Sequence, residues 1–175
     1  MNVYAYCANS FKKSVKKMAG IEPDTCPPFT DDTFGEDRLI NADLIYFKLH
    51  GLPEQAYWYG DNMITALSLE KLRQFNLRNK MIFVSNCHLM ESPMFQGLNE
   101  AGALAVIGGS GINYGGIDKL VASDILGLYF RIGLQLGMKI KTAFEFSKTV
   151  LKFYARSKGV EDAMAFELYM RGKTC

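Results

Sequence analysis

The sequence predicts an α/β fold in which helices cover both faces of a mostly parallel β-sheet. Apolar runs at residues 42–49 (ADLIYFKL), 81–86 (MIFVSN) and 103–107 (ALAVI) alternate with segments of helical periodicity. Each run is apolar on both faces, which is typical of buried strands in a parallel sheet. Parallel neighbours need crossover connections, and these are nearly always right-handed, so helices are expected on both sides of the sheet.

Size and composition indicate one globular domain over residues 1–175. A chain of 175 residues is long enough for one substantial hydrophobic core. Its 49% hydrophobic and 22% charged residues are typical of a globular protein and argue against pervasive disorder. Folding is therefore not expected to depend on a metal ion or a disulfide.

The charge pattern gives little support to nucleic-acid binding. The formal net charge is only +2. One basic cluster has helical spacing and is able in principle to contact phosphates: Lys12, Lys13, Lys16 and Lys17. No aromatic stacking pattern accompanies it, so a solvated helix face is the better interpretation and no nucleic-acid partner is predicted.

The cysteines and histidines argue against a zinc site, and we predict neither a metal nor a cofactor. The four cysteines are widely separated, and the chain has two histidines. The N-terminal segment carries its lysines after its apolar stretch, unlike a signal peptide. The uncharged stretch at 101–117 is broken by glycines, unlike a membrane span. We therefore expect a cytoplasmic protein with no membrane partner.

The N-terminal segment begins with a strand and a helix. Residues 3–7 are apolar and aromatic, as in a first central strand, and Asn9 or Ser10 is expected to cap the helix that follows. Gly20 ends that helix. Residues 21–38 combine proline, glycine and acidic residues without periodicity, which predicts a long loop with room for one short strand.

The middle of the chain alternates loops, helices and strands. Residues 51–63 hold the only tryptophan and predict an irregular connection beside a binding groove. Ser68 is expected to cap the next helix, which returns the chain to the strand at 81–86. Ser92 is predicted to cap a further helix, with Pro93 at its first position.

Two amphipathic helices and a terminal strand complete the predicted fold. The helices are expected at residues 120–136 and 141–157, and Asp124 interrupts the apolar face of the first. Residues 163–170 (AMAFELYM) alternate as in a strand, although most of them favour helix. We predict an antiparallel edge strand at this position.

A base and a thiol close two neighbouring predicted strands. His50 and Gly51 follow the run at 42–49, and Cys87 follows the run at 81–86. Ligands of open α/β sheets bind outside the carboxyl ends of the strands. A cysteine thiolate is a nucleophile, and a histidine exchanges protons near neutral pH. We therefore predict a His50–Cys87 dyad, with the backbone N–H groups of Gly51 and Cys87 placed to polarise a carbonyl.

Each of these residues alone has an ordinary structural interpretation. Cysteine is often a small buried hydrophobic residue, and His50 alone would simply end a strand. Their occurrence at adjacent strand ends favours the functional interpretation. His88 is interpreted as a side chain that flanks the site, with metal ligation or catalysis as lesser alternatives.

The glycine-rich stretch at 108–116 (GGSGINYGG) fails the dinucleotide-binding pattern, because Tyr114 stands where a third glycine is needed. We predict instead a flexible loop over the strand ends. The candidate substrate contacts are one residue of this loop and three polar residues near the strand ends: Ser110, Asp61, His88 and Glu91. The carboxylates among them could attract a basic side chain of a peptide substrate, and the alternative for each is a solvated loop residue.

The order of these motifs resembles the caspase-like cysteine peptidases of clan CD, and within them the CHAT family. ADLIYFKLHG is similar to the family's apolar strand ending in His-Gly, and IFVSNC to its strand ending in the catalytic cysteine. GLNEAGALAVIG is similar to the segment that follows, and AMAFELYMRG to the closing strand. As in this family, the histidine precedes the cysteine.

This resemblance implies a three-layer sandwich and a peptidase that cleaves a protein or peptide substrate. It implies that Cys87 is the nucleophile, that His50 is the general acid and base, and that the N–H groups of Gly51 and Cys87 form the oxyanion hole. Substrate selection by an activating or regulatory protein is compatible with it. The alternative is a noncatalytic caspase-like module that binds a peptide or a partner protein.

Overall fold

Residues 1–154 and 159–172 are described by the computed structural model of the chain. Its strands are β1 (Val3–Ala8), β2 (Asp24–Cys26), β3 (Leu44–Lys48), β4 (His50–Gly51), β5 (Tyr57–Tyr59), β6 (Thr65–Ser68), β7 (Met81–Val84), β8 (Ala105–Gly108) and β9 (Glu167–Met170). Its α-helices are α1 (Lys12–Ala19), α2 (Leu69–Arg73), α3 (Pro93–Glu100), α4 (Ala122–Gln135), α5 (Ile140–Phe153) and α6 (Val160–Met164). No helix in these residues is long and apolar enough to cross a membrane.

The strands form a larger and a smaller sheet. The larger sheet has the order β2-β1-β3-β7-β8-β9, and its neighbouring pairs are parallel except for β8 and β9. The smaller sheet is antiparallel and has the order β4-β5-β6. The predicted α/β class, the mostly parallel sheet and the antiparallel edge strand are confirmed.

Helices cover both faces of the larger sheet, as predicted. Helices α1, α4 and α5 lie against the face that carries Tyr46 and Phe83. Helices α2 and α3 and the smaller sheet lie against the face that carries Ile45 and Val84. Side chains alternate between the two faces along a strand, so Lys48 shares the face of Tyr46 and meets α1 and α4.

The segment at 51–63 is not the irregular connection predicted from its turn-forming residues. It contributes to β4 and forms β5. Trp58 is 1% exposed and its ring lies 5.2 Å from that of Phe47, so burial of an aromatic residue outweighs the local turn preference. Asn62 and Met63 have positive φ angles of 57° and 58°, which reverse the chain between β5 and β6.

Two predicted helix caps are confirmed and one is wrong. The side chains of Ser68 and Ser92 accept backbone N–H groups at the starts of α2 and α3. Neither Asn9 nor Ser10 caps α1, because these residues form a 3-10 turn before it. The hydroxyl of Ser10 donates instead to Asp61, at 2.7 Å.

The C-terminal elements agree with prediction except at their ends. Helix α4 is shorter than the predicted segment at 120–136. Helix α5 begins one residue before the predicted segment at 141–157 and ends at Phe153, and residues 155–157 lie outside the described ones. The edge strand predicted at 163–170 begins only at β9, since α6 occupies the first residues of that segment. The long loop at 21–38 contains the short strand β2, as predicted.

Candidate active site

The carboxyl ends of β3 and β7 lie side by side, and the predicted dyad follows them. The two strands pair in parallel register. Just beyond them, the backbone N–H of Leu49 donates to Oδ1 of Asn86 at 2.7 Å. His50 follows Leu49 and Cys87 follows Asn86, so the pairing of the two strands brings both residues to one edge of the sheet.

Gly51 lies in close contact with the backbone of Cys87. A Cβ atom added at Gly51 would overlap the carbonyl oxygen of Cys87 and lie 3.4 Å from Cβ of Asn86. The missing side chain therefore allows the two strand ends to approach each other. An oxyanion hole built from both strand ends requires this close approach, because its two N–H groups must point at one oxygen.

His50 stands on the exposed side of this edge. In β4 it pairs with Tyr59 of β5, and its imidazole ring lies 5.1 Å from the ring of Phe11. It borders a cleft of about 380 Å³ that Asp61 and Met63 also line. The imidazole therefore has an aromatic support on one side and space for a ligand on another.

Cys87 is half-buried, and its sulfur contacts the loop that follows β8. The backbone N–H of Asn113 donates to Sγ at 3.3 Å, and the carbonyl oxygen of Asn113 lies 3.7 Å from Sγ. The first contact stabilises a thiolate, and the second accepts the hydrogen of a neutral thiol. Within residues 1–154 and 159–172 the N–H of Cys87 donates no hydrogen bond to a protein acceptor.

Two other cysteines lie in the core. Cys7 and Cys26 are both 0% exposed. Burial raises the pKa of Cys7 to about 12 and also raises the pKa of Cys26. Both are therefore poor nucleophiles near neutral pH. Cys175 lies outside the described residues, and within them Cys87 is the thiol with solvent access.

His88 turns the chain away from the strand end. Its φ angle of +57° is uncommon for a residue other than glycine. Its backbone N–H donates to the carbonyl oxygen of Gly111 at 2.7 Å, and its Nδ1 lies within hydrogen-bond distance of Oε2 of Glu91. The imidazole of His88 is thus paired with Glu91 in the turn after Cys87.

The glycine-rich loop at 108–116 lies over the carboxyl end of the sheet, and it is bonded on several sides rather than free. Ser110 is exposed in it. The contacts that hold the loop are those of the Met90 N–H with Gly109 O at 3.3 Å, the Asn113 side-chain amide with Asn86 O, and the Ser123 hydroxyl with Tyr114 O at 3.2 Å. The sequence does not predict the contact of Asn113 with Cys87, because backbone atoms of Asn113 make it. The neighbouring glycines indicate only that a loop is present.

Both predicted acidic contacts already have partners. Asp61 accepts the hydroxyl and the N–H of Ser10, at 2.7 and 3.0 Å. It lines the cleft of His50, whereas Glu91 lines a separate cleft. Asp61 is therefore the acidic group beside the base, and Glu91 is the acidic group beside the turn that follows the thiol.

A buried ion pair lies beneath the dyad. Nζ of Lys48 contacts Oδ1 of Asp124, and the two side chains are 2% and 0% exposed. Asp124 is the residue that interrupts the apolar face of α4, and this pairing explains how a buried helix face accommodates a carboxylate. In the sequence, the pair is indicated by a lysine in an otherwise apolar strand, two residues before His50.

The predicted basic cluster is paired locally. The contacts are those of Lys12 and Lys16 with Glu22, Lys13 with the carboxylate of Asp118, and Lys17 with the carbonyl oxygen of Asp118. In the described part of the chain, no group of three or more histidine, cysteine or acidic side chains is arranged to hold a metal ion.

A larger cavity lies away from the dyad. It has a volume of about 1090 Å³ and lies between α5 and β9, where Ile140, Phe144 and Leu168 line it. Neither His50 nor Cys87 borders it. The candidate site is therefore marked by the chemistry at the strand ends and not by cavity size.

Comparison with solved structures shows a likeness in fold to a cysteine proteinase. The crystal structure of gingipain R, described as an Arg-specific cysteine proteinase, is similar with a TM-score of 0.55 and 11% sequence identity. The match covers 96% of this chain and 46% of that one, so this chain spans less than half of the gingipain chain. No protein-family model and no curated protein matches the sequence. At this identity the likeness concerns the fold alone, and the chain has a caspase-like fold.

Proposed function

We propose that the chain is a caspase-like cysteine endopeptidase that cleaves a protein or peptide substrate. The observation that carries the proposal is the contact between Gly51 and the carbonyl group of Cys87, which joins a strand end bearing a base to one bearing an accessible thiol. Gingipain R is described as a cysteine proteinase, and the shared fold adds support for the same class of reaction.

In the acylation step, the thiolate of Cys87 attacks the carbonyl carbon of the scissile peptide bond. The N–H groups of Gly51 and Cys87 hold the oxygen of the tetrahedral intermediate, which carries the negative charge. The imidazolium of His50 gives its proton to the leaving nitrogen. The C–N bond breaks, the amine product leaves, and the acyl group stays on the sulfur as a thioester.

In the deacylation step, the neutral imidazole of His50 takes a proton from a water molecule. The water oxygen attacks the thioester carbon, and the same N–H groups hold the new oxyanion. The C–S bond then breaks, which releases the carboxylic acid product and restores the thiolate and the imidazolium. No third side chain is required by this cycle.

The finer assignments rest on sequence. Membership of the CHAT family is proposed from the motifs that end in His50 and Cys87. We also propose one domain over residues 1–175, a cytoplasmic location, and an activating or regulatory protein as a partner. Asp61, His88, Glu91 and Ser110 are the proposed substrate contacts.

A cleavage screen tests the peptidase proposal. Native chain and Cys87→Ala are incubated with a peptide library and with a denatured proteome, and new termini are identified by mass spectrometry. We expect products with the native chain only, and we expect His50→Ala to abolish turnover. As a matched thiol control, Cys26→Ala removes a buried sulfur and keeps the cleavage pattern.

Identical products from native chain and Cys87→Ala, with candidate partner proteins present, would contradict the proposal. That result would favour the noncatalytic module, in which the same edge of the sheet binds a peptide without cutting it.

A further inference from the structure

Lys48 and Asp124 form a buried ion pair at the edge of the sheet that carries the candidate dyad. Burial lowers the pKa of Lys48, and the charge of Asp124 opposes that effect. Taking two charges out of water is costly, and apolar residues of similar volume often stabilise a protein as well or better. The pair therefore calls for an explanation other than stability.

Both members of the pair bind the backbone of the same residue, Gly116, in the loop that follows β8. Nζ of Lys48 donates to the carbonyl oxygen of Gly116 at 2.8 Å, and the N–H of Gly116 donates to Oδ2 of Asp124. The approach is close, because a Cβ atom added at Gly115 would lie 2.6 Å from Cε and 2.8 Å from Nζ of Lys48. The N–H of Val121 also donates to Asp124, at 3.3 Å.

The clamped loop leads directly to the thiol. Asn113 lies three residues before Gly116, and its backbone N–H donates to Sγ of Cys87. Its side-chain amide donates to the carbonyl oxygen of Asn86, the residue before Cys87. A displacement of Gly116 would therefore be passed to the group that contacts the sulfur.

The same pair also lies close to the base. Lys48 precedes His50 by two residues, and its Nζ lies 4.9 Å from the centre of the Phe11 ring. That ring in turn lies 5.1 Å from the imidazole ring of His50. Nζ of Lys48 also donates to the hydroxyl oxygen of Ser14, at 2.9 Å.

We propose that Lys48 and Asp124 are positioning residues, which clamp Gly116 so that the loop holds Asn113 against Cys87 while Phe11 supports His50. Neither residue touches the substrate in this scheme. The catalytic part of the inference rests on the proposed peptidase function, whereas the clamp itself does not.

A variant that separates stability from positioning tests this proposal. Lys48→Met or Asp124→Leu alone leaves one buried charge without its partner and is expected to lower the urea midpoint strongly. The double variant Lys48→Met/Asp124→Leu removes both charges, so most of the midpoint is expected to return. It lacks the two contacts to Gly116, so positioning is expected to stay lost.

Two readouts follow positioning in the double variant. Amide hydrogen exchange at Asn113 and Gly116 is expected to become faster than in the native chain, while exchange in β3 and β7 stays slow. The rate at which a peptidyl chloromethyl ketone alkylates Cys87 is expected to fall about 100-fold, as for a misplaced reacting group.

Lys80→Met is the matched control. Lys80 is also buried, and its Nζ donates to the carbonyl oxygens of Ile40 and Ala42, at 2.8 and 3.0 Å, near the amino end of β7. This variant is expected to lose stability while alkylation of Cys87 keeps its native rate. A purely structural role of the ion pair would instead make alkylation follow the urea midpoint in all the variants.

The outcomes separate the two proposals. If the native chain shows no preferential alkylation of Cys87, the peptidase proposal and the positioning role are both wrong. Amide hydrogen exchange at Gly116 then still tests whether Lys48 and Asp124 clamp the loop. If the native chain is alkylated and the double variant matches it within twofold, the positioning role alone is overturned. Native-like exchange at Asn113 and Gly116 in the double variant overturns the clamp.

Discussion

Leu49 and Asn86 join the two strands that carry the candidate dyad: the backbone N–H of Leu49 donates to Oδ1 of Asn86 at 2.7 Å, with both residues buried. Leu49 directly precedes His50 after β3, and Asn86 directly precedes Cys87 after β7. The hydrogen bond continues the β3–β7 pairing past the end of the backbone ladder and joins the two strand ends just before the candidate dyad.

Substitution Asn86→Ala is expected to lower both stability and reactivity. It leaves the buried N–H of Leu49 without an acceptor, which costs about 1–3 kcal/mol of the free energy of unfolding. Urea denaturation measures this loss, and alkylation of Cys87 by a peptidyl chloromethyl ketone measures the displacement of the thiol. An unchanged urea midpoint would show that this hydrogen bond does not hold the strand ends.

Substitution Gly51→Ala is expected to reduce turnover and alkylation of Cys87 by about 100-fold, since its Cβ would push against the carbonyl group of Cys87. Gly137→Ala is the matched control. A Cβ atom there meets nothing within 4 Å, and the φ angle of +82° makes its cost conformational, about 1 kcal/mol. Native alkylation in Gly51→Ala would refute the close approach of the two strand ends.

Alkaline pH is expected to destabilise the fold through Cys7. Burial raises the pKa of this thiol from an ordinary value of 9.0 to about 12. The unfolded chain therefore releases the proton first, and stability that is complete below pH 9.0 is lost as the pH rises toward 12. The loss amounts to at most about 4 kcal/mol.

The pH dependence of unfolding in Cys7→Ala checks this expectation. The variant loses some stability at every pH because of the smaller side chain, yet its urea midpoint should fall less steeply than that of the native chain above pH 9.0. Parallel curves for the two proteins would rule out Cys7 as the titrating group.

Asp61 is predicted to favour a basic residue on the amino side of the cut bond. Its carboxylate lines the cleft of His50 but is held by Ser10. We expect Asp61→Asn to lower the ratio of kcat/KM for Arg over Leu peptides by at most about fivefold, as suits a partly exposed charge pair. Ser10→Ala, which frees one carboxylate oxygen, should raise that ratio, and equal ratios in all three proteins would exclude Asp61 from substrate recognition.

Local patterns in the sequence were sufficient for the main elements. The apolar runs of β3, β7 and β8 and the serine caps of α2 and α3 depend on neighbours in sequence, so propensity and periodicity predict them. The position of His50 and Cys87 at one edge of the sheet was predictable for the same reason, because both directly follow apolar runs in adjacent strands.

Other features depend on partners far along the chain. Asp124 is separated from Lys48 by 76 residues, and only the packing of α4 on the sheet makes them meet. Trp58 forms a strand because it is buried against Phe47, although turn-forming residues surround it. The contact of Asn113 with Cys87 uses backbone atoms, so residue type carries no signal for it.

The rate of alkylation at each cysteine tests the dyad most directly. A peptidyl chloromethyl ketone is added to native chain and to His50→Ala, and peptide mapping by mass spectrometry follows each thiol with time. We predict that Cys87 reacts at least about 100-fold faster than Cys7, Cys26 and Cys175, and that His50→Ala keeps this alkylation while peptide hydrolysis stops. Slow and equal alkylation of all four cysteines in the native chain would contradict the account.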